Sequence, residues 1–314
     1  MPTFAQGSRS NLAYAVESTF GTAPASGYIA LPFTSHSLNL TKDLVAGTDI
    51  QSDRMPRHER HGNKQIGGDI VGDLRKEDYD VLIESAMLNS WTEAGASGRA
   101  GDVIKVGTTA KYLTFEDYSA DIDQVRLFSG CSVSSMAMSI APNQMIATTF
   151  SMVGSGMTTS ATQQTGVTAA SANAPFDSYS GTLAIANQGV TPVASSIVTS
   201  IDFTVNNTFA PTFVVGSDVT PALEVGRAEV TGSFSAYFQD MDLITRFLNE
   251  TETSLSVSVD DPTSANAYSF FFPRIKINSA DVGVDGPTSR VINMGFTALY
   301  DTTEATNLSI TRTT

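Results

Sequence analysis

Residues 146–153 read Ile-Ala-Thr-Thr-Phe-Ser-Met-Val, and residues 292–299 read Ile-Asn-Met-Gly-Phe-Thr-Ala-Leu. Apart from one threonine, apolar side chains occupy every second position, which is the period of a β-strand with one buried face. The two stretches are 146 residues apart and place isoleucine and phenylalanine at the same points. They therefore predict two equivalent strands, one in each half of the chain.

Three further blocks recur in the same order, 160 to 163 residues apart. Alternating strands are common to all β-rich domains, but four blocks in one order favour an internal duplication. The third block has the apolar spacing of a short helix. The matched pairs are 37–41 with 200–204, 71–74 with 231–234, and the apolar positions of 82–87 with those of 243–248.

The junction between the two copies is visible in the composition. Residues 127–176 contain no Asp, Glu, Lys or Arg, and 154–175 are mostly Ser, Thr, Ala, Gln and Gly, as is typical of a linker. We predict a first domain over 1–153, an uncharged linker over 154–175 and a second domain over 176–314. The repeat spacing shortens after the helix, so the first domain contains extra residues, for which the Gly-rich segment 91–107 is the candidate.

The composition favours strands over helices. Only 16% of the 314 residues are charged, against about a quarter in an average globular protein, while serine and threonine number 73. We predict a mainly β chain with one short helix in each half, at 76–89 and 238–249, each covering a sheet. The strands predicted in the second half are 195–206, 225–236, 252–260, 267–279 and 289–301.

Charge and cysteine content exclude several classes of protein. The net charge of −14 argues against a protein that grips DNA, although DNA can pass such a surface without binding. A single cysteine, Cys131, excludes an internal disulfide framework. The first residues lack the basic and apolar segments of a secretory signal, and no apolar run approaches 18 residues. We therefore expect a protein that is made in the cytosol and has no membrane partner.

No motif points to catalysis. The sequence has no Gly-x-Ser-x-Gly elbow, no phosphate-binding loop and no dinucleotide fingerprint. His58 and His61 lie three residues apart in a charged segment, which favours a solvated loop over a metal site. Cys131 has no charged neighbour within four positions and is interpreted as a core residue. We expect no catalytic residue, no metal and no cofactor.

A basic cluster stands out on this acidic chain. Four of its 18 basic residues, Arg54, Arg57, Arg60 and Lys64, lie within eleven positions, together with His58 and His61. A solvated loop explains them, and so does a tether to an acidic surface on a neighbouring copy, since opposite charges steer such contacts. Nucleic-acid binding is a weaker interpretation because no aromatic side chain is interleaved to stack on bases.

The N-terminal segment carries a family resemblance. Residues 11–24, Asn-Leu-Ala-Tyr-Ala-Val-Glu-Ser-Thr-Phe-Gly-Thr-Ala-Pro, resemble the signature of the tail tube proteins, or major tail proteins, of long-tailed bacteriophages. The strand at 37–41 is similar to that family's next strand. Residues 180–183, a polar turn and the strand at 197–206 are similar to a later part. Only the N-terminal block is distinctive, and no block is catalytic.

The resemblance implies a fold and a mode of assembly. It implies two fused tail-tube-like β-sandwich domains, each with one short flanking helix, that form a closed β-barrel wall on assembly into rings. A long loop of each domain reaches the adjacent ring. In the first domain this loop is expected at 42–65, which contains the basic cluster. In the second it is expected at 207–226, with an apolar contact through Phe209 and Phe213.

The resemblance also implies partners and a location. Tail tubes have six domains per ring, so two fused domains predict a trimeric ring with pseudo-sixfold symmetry, or a hexameric ring if the halves are not equivalent. Further expected partners are the tape-measure and tail terminator proteins, and DNA passes through the lumen without specific binding. The expected location is the virion tail, after assembly in the host cytoplasm.

Two other functions fit the composition. A secreted adhesin or surface-layer β-protein would be similarly acidic and rich in hydroxyls, but the missing signal peptide argues against it. A β-sandwich hydrolase or carbohydrate-binding module would use aromatic side chains, yet the one tryptophan, Trp91, lies beside a Gly-rich insert. Secretion of the native chain would favour the first alternative, and glycan binding or turnover would favour the second.

Overall fold

The computed structural model describes residues 4–50, 52, 53, 55, 57–93, 101–179, 181–194, 197–261, 266–284 and 286–313. We call the elements up to β10 the first half and those from β11 the second half. The first half contains a 3-10 turn (Gly7–Arg9), β1 (Ser10–Val16), β2 (Ile29–Ala30), β3 (Ser35–His36), β4 (Asn39–Ala46), β5 (Glu59–Asp73), α1 (Asp80–Met87), β6 (Asp102–Lys105), β7 (Leu113–Ser119), β8 (Gln124–Ile140), β9 (Ala147–Gly154) and β10 (Gly156–Ser160). The second half contains β11 (Thr182–Asn187), β12 (Val193–Ala194), β13 (Val198–Asn206), β14 (Ala210–Pro211), β15 (Leu223–Glu224), β16 (Glu229–Tyr237), α2 (Asp242–Leu248), β17 (Thr253–Asp260), β18 (Ala267–Val282), β19 (Val291–Ala298) and β20 (Ser309–Arg312).

The two halves have the same strand order. In the first half, β4, β5, β9 and β8 pair in that sequence, and in the second half β13, β16, β19 and β18 do the same. A second sheet covers each set, formed by β2, β1, β7, β8 and β10 and by β12, β11, β17, β18 and β20. All of these pairs are antiparallel. The prediction of a mainly β fold with two short helices is confirmed.

The strands β8 and β18 take part in both sheets of their half because each one bends. In β8 two residues oppose one residue of β7 at the bend, where Gly130 has φ 67°, a conformation that favours glycine. In β18 the equivalent irregularity includes Pro273, which is tolerated because a bulge leaves one ladder position unpaired.

The halves are joined by a strand pair. β13 runs antiparallel to the C-terminal part of β8, from Ile201 opposite Ile140 to Asn206 opposite Ser135. This pair converts two four-stranded sheets into one sheet of eight strands, which we call the long sheet. In the single chain the long sheet is open. One edge is the line of β3 and β4, and the other is the C-terminal part of β18.

Both halves share one hydrophobic core beneath the long sheet. Its largest side chains are fully buried and come from both halves, as with Phe150, Phe203, Phe270 and Phe296. Close ring contacts cross the core between the long sheet and the covering sheet. One joins Phe203 of β13 to Phe272, which pairs with β17, and their ring centroids lie 5.2 Å apart. Burial of these rings is the main stabilising contribution.

A polar clamp also connects the halves. The Arg312 guanidinium donates hydrogen bonds to the carboxylates of Asp80 and Asp102, and the Tyr268 hydroxyl donates to Asp80. Burial raises the pKa of the Asp80 carboxyl, although the bonds from Tyr268 and Arg312 oppose that effect. The pairing of β6 with β20 brings Asp102 opposite Arg312 in this clamp. β6 lies in the predicted insert at 91–107, of which residues 94–100 lie outside the described residues.

The equivalences drawn from the sequence need two corrections. Phe150 pairs with Ile70, and its equivalent Phe296 pairs with Gly232. Ile70 and Gly232 are therefore equivalent, and they lie 162 residues apart, whereas the match of 71–74 with 231–234 assumed 160. By the same register Leu38 is equivalent to Val205, 167 residues apart instead of 163. Both errors are even numbers, because an alternating pattern matches itself after any shift of two.

The segment at 154–175 follows the first half. It begins with β10, which pairs with β8, and the Thr168 carbonyl accepts a hydrogen bond from the Ala30 amide. Further on, the Ser171 hydroxyl donates to the Asp78 carboxylate. The division into two domains at this segment stays a prediction, which the repeated strand order supports.

The signature segment contains a buried carboxylate. The Glu17 side chain is 8% exposed and accepts hydrogen bonds from the Gly21 amide at 2.7 Å, the Thr114 hydroxyl at 2.6 Å and the Gly130 amide at 2.7 Å. It therefore holds the turn after β1 against the bend of β8. This accounts for a charged residue in an otherwise apolar strand sequence.

Asp117 connects the covering sheet to the edge of the long sheet. Its carboxylate accepts from the Ser10 hydroxyl and the Arg126 guanidinium, and lies 3.7 Å from His36 Nε2. Burial raises the pKa of Asp117, but the hydrogen bonds from His36 and Arg126 outweigh burial and lower it to about 2.

We predict that Glu17→Ala lowers the free energy of unfolding by about 2–3 kcal/mol, because two backbone amides and a hydroxyl lose their buried acceptor. Urea denaturation followed by circular dichroism measures this. The matched control is Glu59→Ala, whose side chain is exposed on β5. Equal stability of the two variants would contradict the structural role of Glu17.

We also predict a stability change at acid pH. Because the folded-state pKa of Asp117 lies below the ordinary value of 3.8, its carboxylate stabilises the fold above that pH, and the contribution disappears as the pH falls toward 2. At pH 5 the wild type should therefore be more stable than Asp117→Asn by up to about 2 kcal/mol, a value that solvent screening of Arg126 reduces. This difference should shrink as the pH falls. A difference that stays constant with pH would refute this.

Candidate functional site

The long sheet has one buried face and one polar face. Side chains alternate along the strands between the bulges, so Phe150, Phe203 and Phe234 point to the core while their chain neighbours are exposed or half-buried. The outer side chains lie in rows across the strands. One row reads Asp73, Ala147, Ser139, Asp202, Ser233, Gly295 and Ser279, and the next reads Val71, Thr149, Ala137, Thr204, Thr231, Thr297 and Lys276.

This polar face is acidic. It presents the carboxylates of Asp69, Asp73, Asp202, Glu229 and Asp281. Lys276, at the end of the second row, is paired with the Glu250 carboxylate at 2.5 Å. Hydroxyl groups and unpaired carboxylates bind water and repel phosphate groups, so the face can lie beside a nucleic acid without holding it.

A β-ribbon projects from one rim of the long sheet. The predicted loop at 42–65 is wrong in its extent: β4 and β5 keep pairing until Ala46 opposes Glu59, so the loop covers 47–58. We call β4, the loop and the start of β5 the hairpin. Its exposed apolar side chains are Leu44, Val45, Ile50 and Met55. Such a surface on a projecting ribbon is typical of a contact with another molecule.

The predicted basic residues lie at different positions along the length of the hairpin. Arg57 is exposed and donates to Asp53 at 2.5 Å, a hydrogen bond that lowers the pKa of that carboxyl. His58 and Arg60 are exposed near the tip, and Lys64 lies at the base. Arg54 lies outside the described residues. The structure therefore brings Arg57, His58 and Arg60 to one end of the hairpin and separates Lys64 from them.

The second predicted loop, 207–226, lies against the base of the hairpin. Lys64 forms an ion pair with Asp218, and its backbone amide donates to the Asp218 carbonyl at 2.6 Å. The Ser155 hydroxyl donates to the Thr220 carbonyl at 2.9 Å. This contact within the chain was not predicted from the sequence. One signal for the contact was available in the sequence. Asp218 is an acidic residue in a loop with few charges, and Lys64 belongs to a basic cluster.

The apolar residues of that loop differ in exposure. Phe209 is half-buried, whereas Phe213 is 37% exposed and lies next to the exposed Val214 and Val215. The loop contains a short ladder of β14 and β15, which fixes its start and end. Phe213 and the two valines thus form an apolar tip beside the hairpin.

The one cysteine and the one tryptophan of the chain have structural positions. Cys131 is fully buried, and burial raises the pKa of its thiol well above the ordinary range. Trp91 lies with its ring under the Arg312 guanidinium, at 4.5 Å from the centroid. Among the described residues no group of three or more His, Cys, Asp or Glu side chains is arranged to hold a metal ion, and no helix is long and apolar enough to cross a bilayer.

Comparison with known proteins identifies the family. No curated protein matches the chain. A family model described as phage tail tube protein matches residues 7–298, nearly the whole length, and this confirms the resemblance of residues 11–24. The chain therefore belongs to the phage tail tube family, whose members are structural components of the virion tail.

Proposed function

We propose that three copies of the chain form a ring, and that stacked rings form the tail tube through which DNA is ejected. The pairing of β8 with β13 carries this proposal, because it already joins two equivalent four-stranded units as a ring would join its members. Three copies of the long sheet supply 24 strands. At ~4.8 Å spacing and ~40° tilt, they close into a wall with a circumference of about 150 Å.

The polar face is the proposed lining of the lumen. A circumference of about 150 Å gives a backbone diameter of roughly 48 Å, which leaves a bore that admits a DNA duplex once side chains are included. The carboxylates of Asp69, Asp202 and Asp281 then face the DNA and repel its phosphates. Their repulsion lets the genome slide without adhering.

The hairpin is the proposed contact between rings. It projects from one rim, carries Arg57, His58 and Arg60 near its tip, and is supported at its base by Lys64 and Asp218. The apolar tip with Phe213 lies beside it and contributes a second contact, with Phe209 behind it. A neighbouring ring of this acidic protein offers the opposite charge that the arginines require.

The remaining partners follow from the tube. A tube of defined length needs a tape-measure protein in its lumen and a terminator protein at its end, and we propose both as partners. We also propose that the tube grows ring by ring in the host cytoplasm. This role requires no catalysis and no cofactor.

Assembly of the purified protein tests the proposal. A concentration series examined by sedimentation and by negative-stain electron microscopy should show hollow rings that stack into tubes. Filaments without a lumen, or monomers at every concentration, would contradict it.

We predict that the triple variant Arg54→Glu, Arg57→Glu and Arg60→Glu folds but forms few or no tubes, because the hairpin then repels the acidic neighbouring ring. The matched control replaces the same three residues with lysine, which preserves the charge and should preserve assembly. Tube mass is measured by sedimentation, and folding by circular dichroism. Tubes of normal length from the glutamate variant would refute the contact between rings.

A further inference from the structure

The two helices are equivalent in position but not in burial. In α1, six of the eight residues are buried, including Leu82, Ile83 and Met87. In α2 only Leu243 is buried, and Leu248 is 71% exposed. A short helix with a largely exposed apolar side is stabilised mainly by what packs on it, so α2 is incomplete in the single chain.

Part of the cover over α1 comes from the other half of the chain. α1 packs beneath β8 and the end of β13. The side chain of Asn207, at the end of β13, donates hydrogen bonds to the carbonyls of Ala86 at 2.8 Å and Val133 at 3.2 Å. The strand that extends the long sheet therefore also closes the C-terminal end of the helix.

β18 and α2 offer the same arrangement without the covering strand. β18 is equivalent to β8, and its C-terminal part pairs with β19 on one side. Its other side, over 276–282, has no strand partner among the described residues. Nearby, Ile244 and Phe247 of α2 are only partly buried against the core.

We propose that residues 34–40 of a second copy dock on this edge of β18 and on α2, reproducing the contact that β13 makes with β8 and α1. This inference rests on the proposed ring and deepens it, because it fixes the strand, the direction and the register. The occupant is a second copy because residues 34–40, in the line of β3 and β4, are equivalent to β13 and form the free edge at the opposite end of the long sheet.

The internal contact specifies the register residue by residue. Asp202 lies opposite Ser139. On the free edges, Ser35 is equivalent to Asp202 and Asp281 is equivalent to Ser139. Ser35 of the second copy should therefore lie opposite Asp281. The remaining opposed pairs are His36 with Ala280, Leu38 with Ile277 and Asn39 with Lys276.

The side chains at these edges suit a contact that forms late. At the internal contact Phe203 opposes Met138 and Ile201 opposes Ile140, so large apolar groups meet. At the free edges, His36 would lie opposite Ala280 and Thr34 opposite Val282. These side chains are more polar or smaller than those at the internal contact. Edges of this kind resist indiscriminate strand pairing before assembly. Where Asn207 caps α1, the second copy places Leu40, an apolar match for Phe247 and Leu248.

Disulfide trapping tests the register. The double variant Ser35→Cys and Asp281→Cys should give covalent dimers and closed trimers on a non-reducing gel after mild oxidation, because opposed residues in an antiparallel pair lie within disulfide range. Cys131 is buried and does not compete. The positive control, Ser139→Cys with Asp202→Cys, forms its bridge inside one chain and leaves a monomer.

A shifted pair separates the register from the function. Ser37→Cys with Asp281→Cys keeps the same face but moves the contact by two residues, where side chains are too far apart to bridge. Trimers from the Ser35 pair alone support the proposal. Tubes in the electron microscope with bridging only in the shifted pair, or in neither pair, overturn the register and leave the tube function intact. No tubes and no bridging under reducing or oxidising conditions overturn both.

Discussion

The antiparallel ladder between β8 and β13 is the constraint on which the rest of the structure depends. A sheet edge exposes backbone groups that must find partners, and here the first half satisfies one edge with the second half. The pairing makes the sheet continuous, merges the two cores and places Asn207 over α1. It also leaves one open edge at each end of the long sheet, and these edges are complementary because the halves share one strand order.

Strand alternation then divides the chemistry between two faces. The buried face is aromatic and supplies the stability, while the opposite face holds hydroxyls and carboxylates such as Asp202 and Asp281. Basic residues are concentrated elsewhere, as with Arg57 and Arg60 on the hairpin. In the proposed tube, the charge that repels DNA therefore lies on the sheet, and the charge that contacts other copies lies at the rim.

The sequence predicted the elements better than their register. The helices and the strands containing Phe150 and Phe296 were found from their spacing, because burial on one face leaves a periodic pattern. The alignment of 71–74 with 231–234 was wrong by two residues, since such a pattern repeats every two positions. The contact of Lys64 with Asp218 was missed because it joins segments far apart in the chain. The extent of the hairpin was missed because β4 is exposed there and its apolar residues do not alternate with polar ones.

In the proposed tube, one chain contributes two equivalent units to a closed wall. Electron cryomicroscopy of assembled tubes tests it most directly, by counting copies and strands in one ring. We predict three copies, about 100 kDa in total, with 24 strands and with internal contacts of the β8–β13 type alternating with intermolecular ones. Six copies per ring, or a wall in which the long sheets of neighbouring copies are not joined, would contradict it.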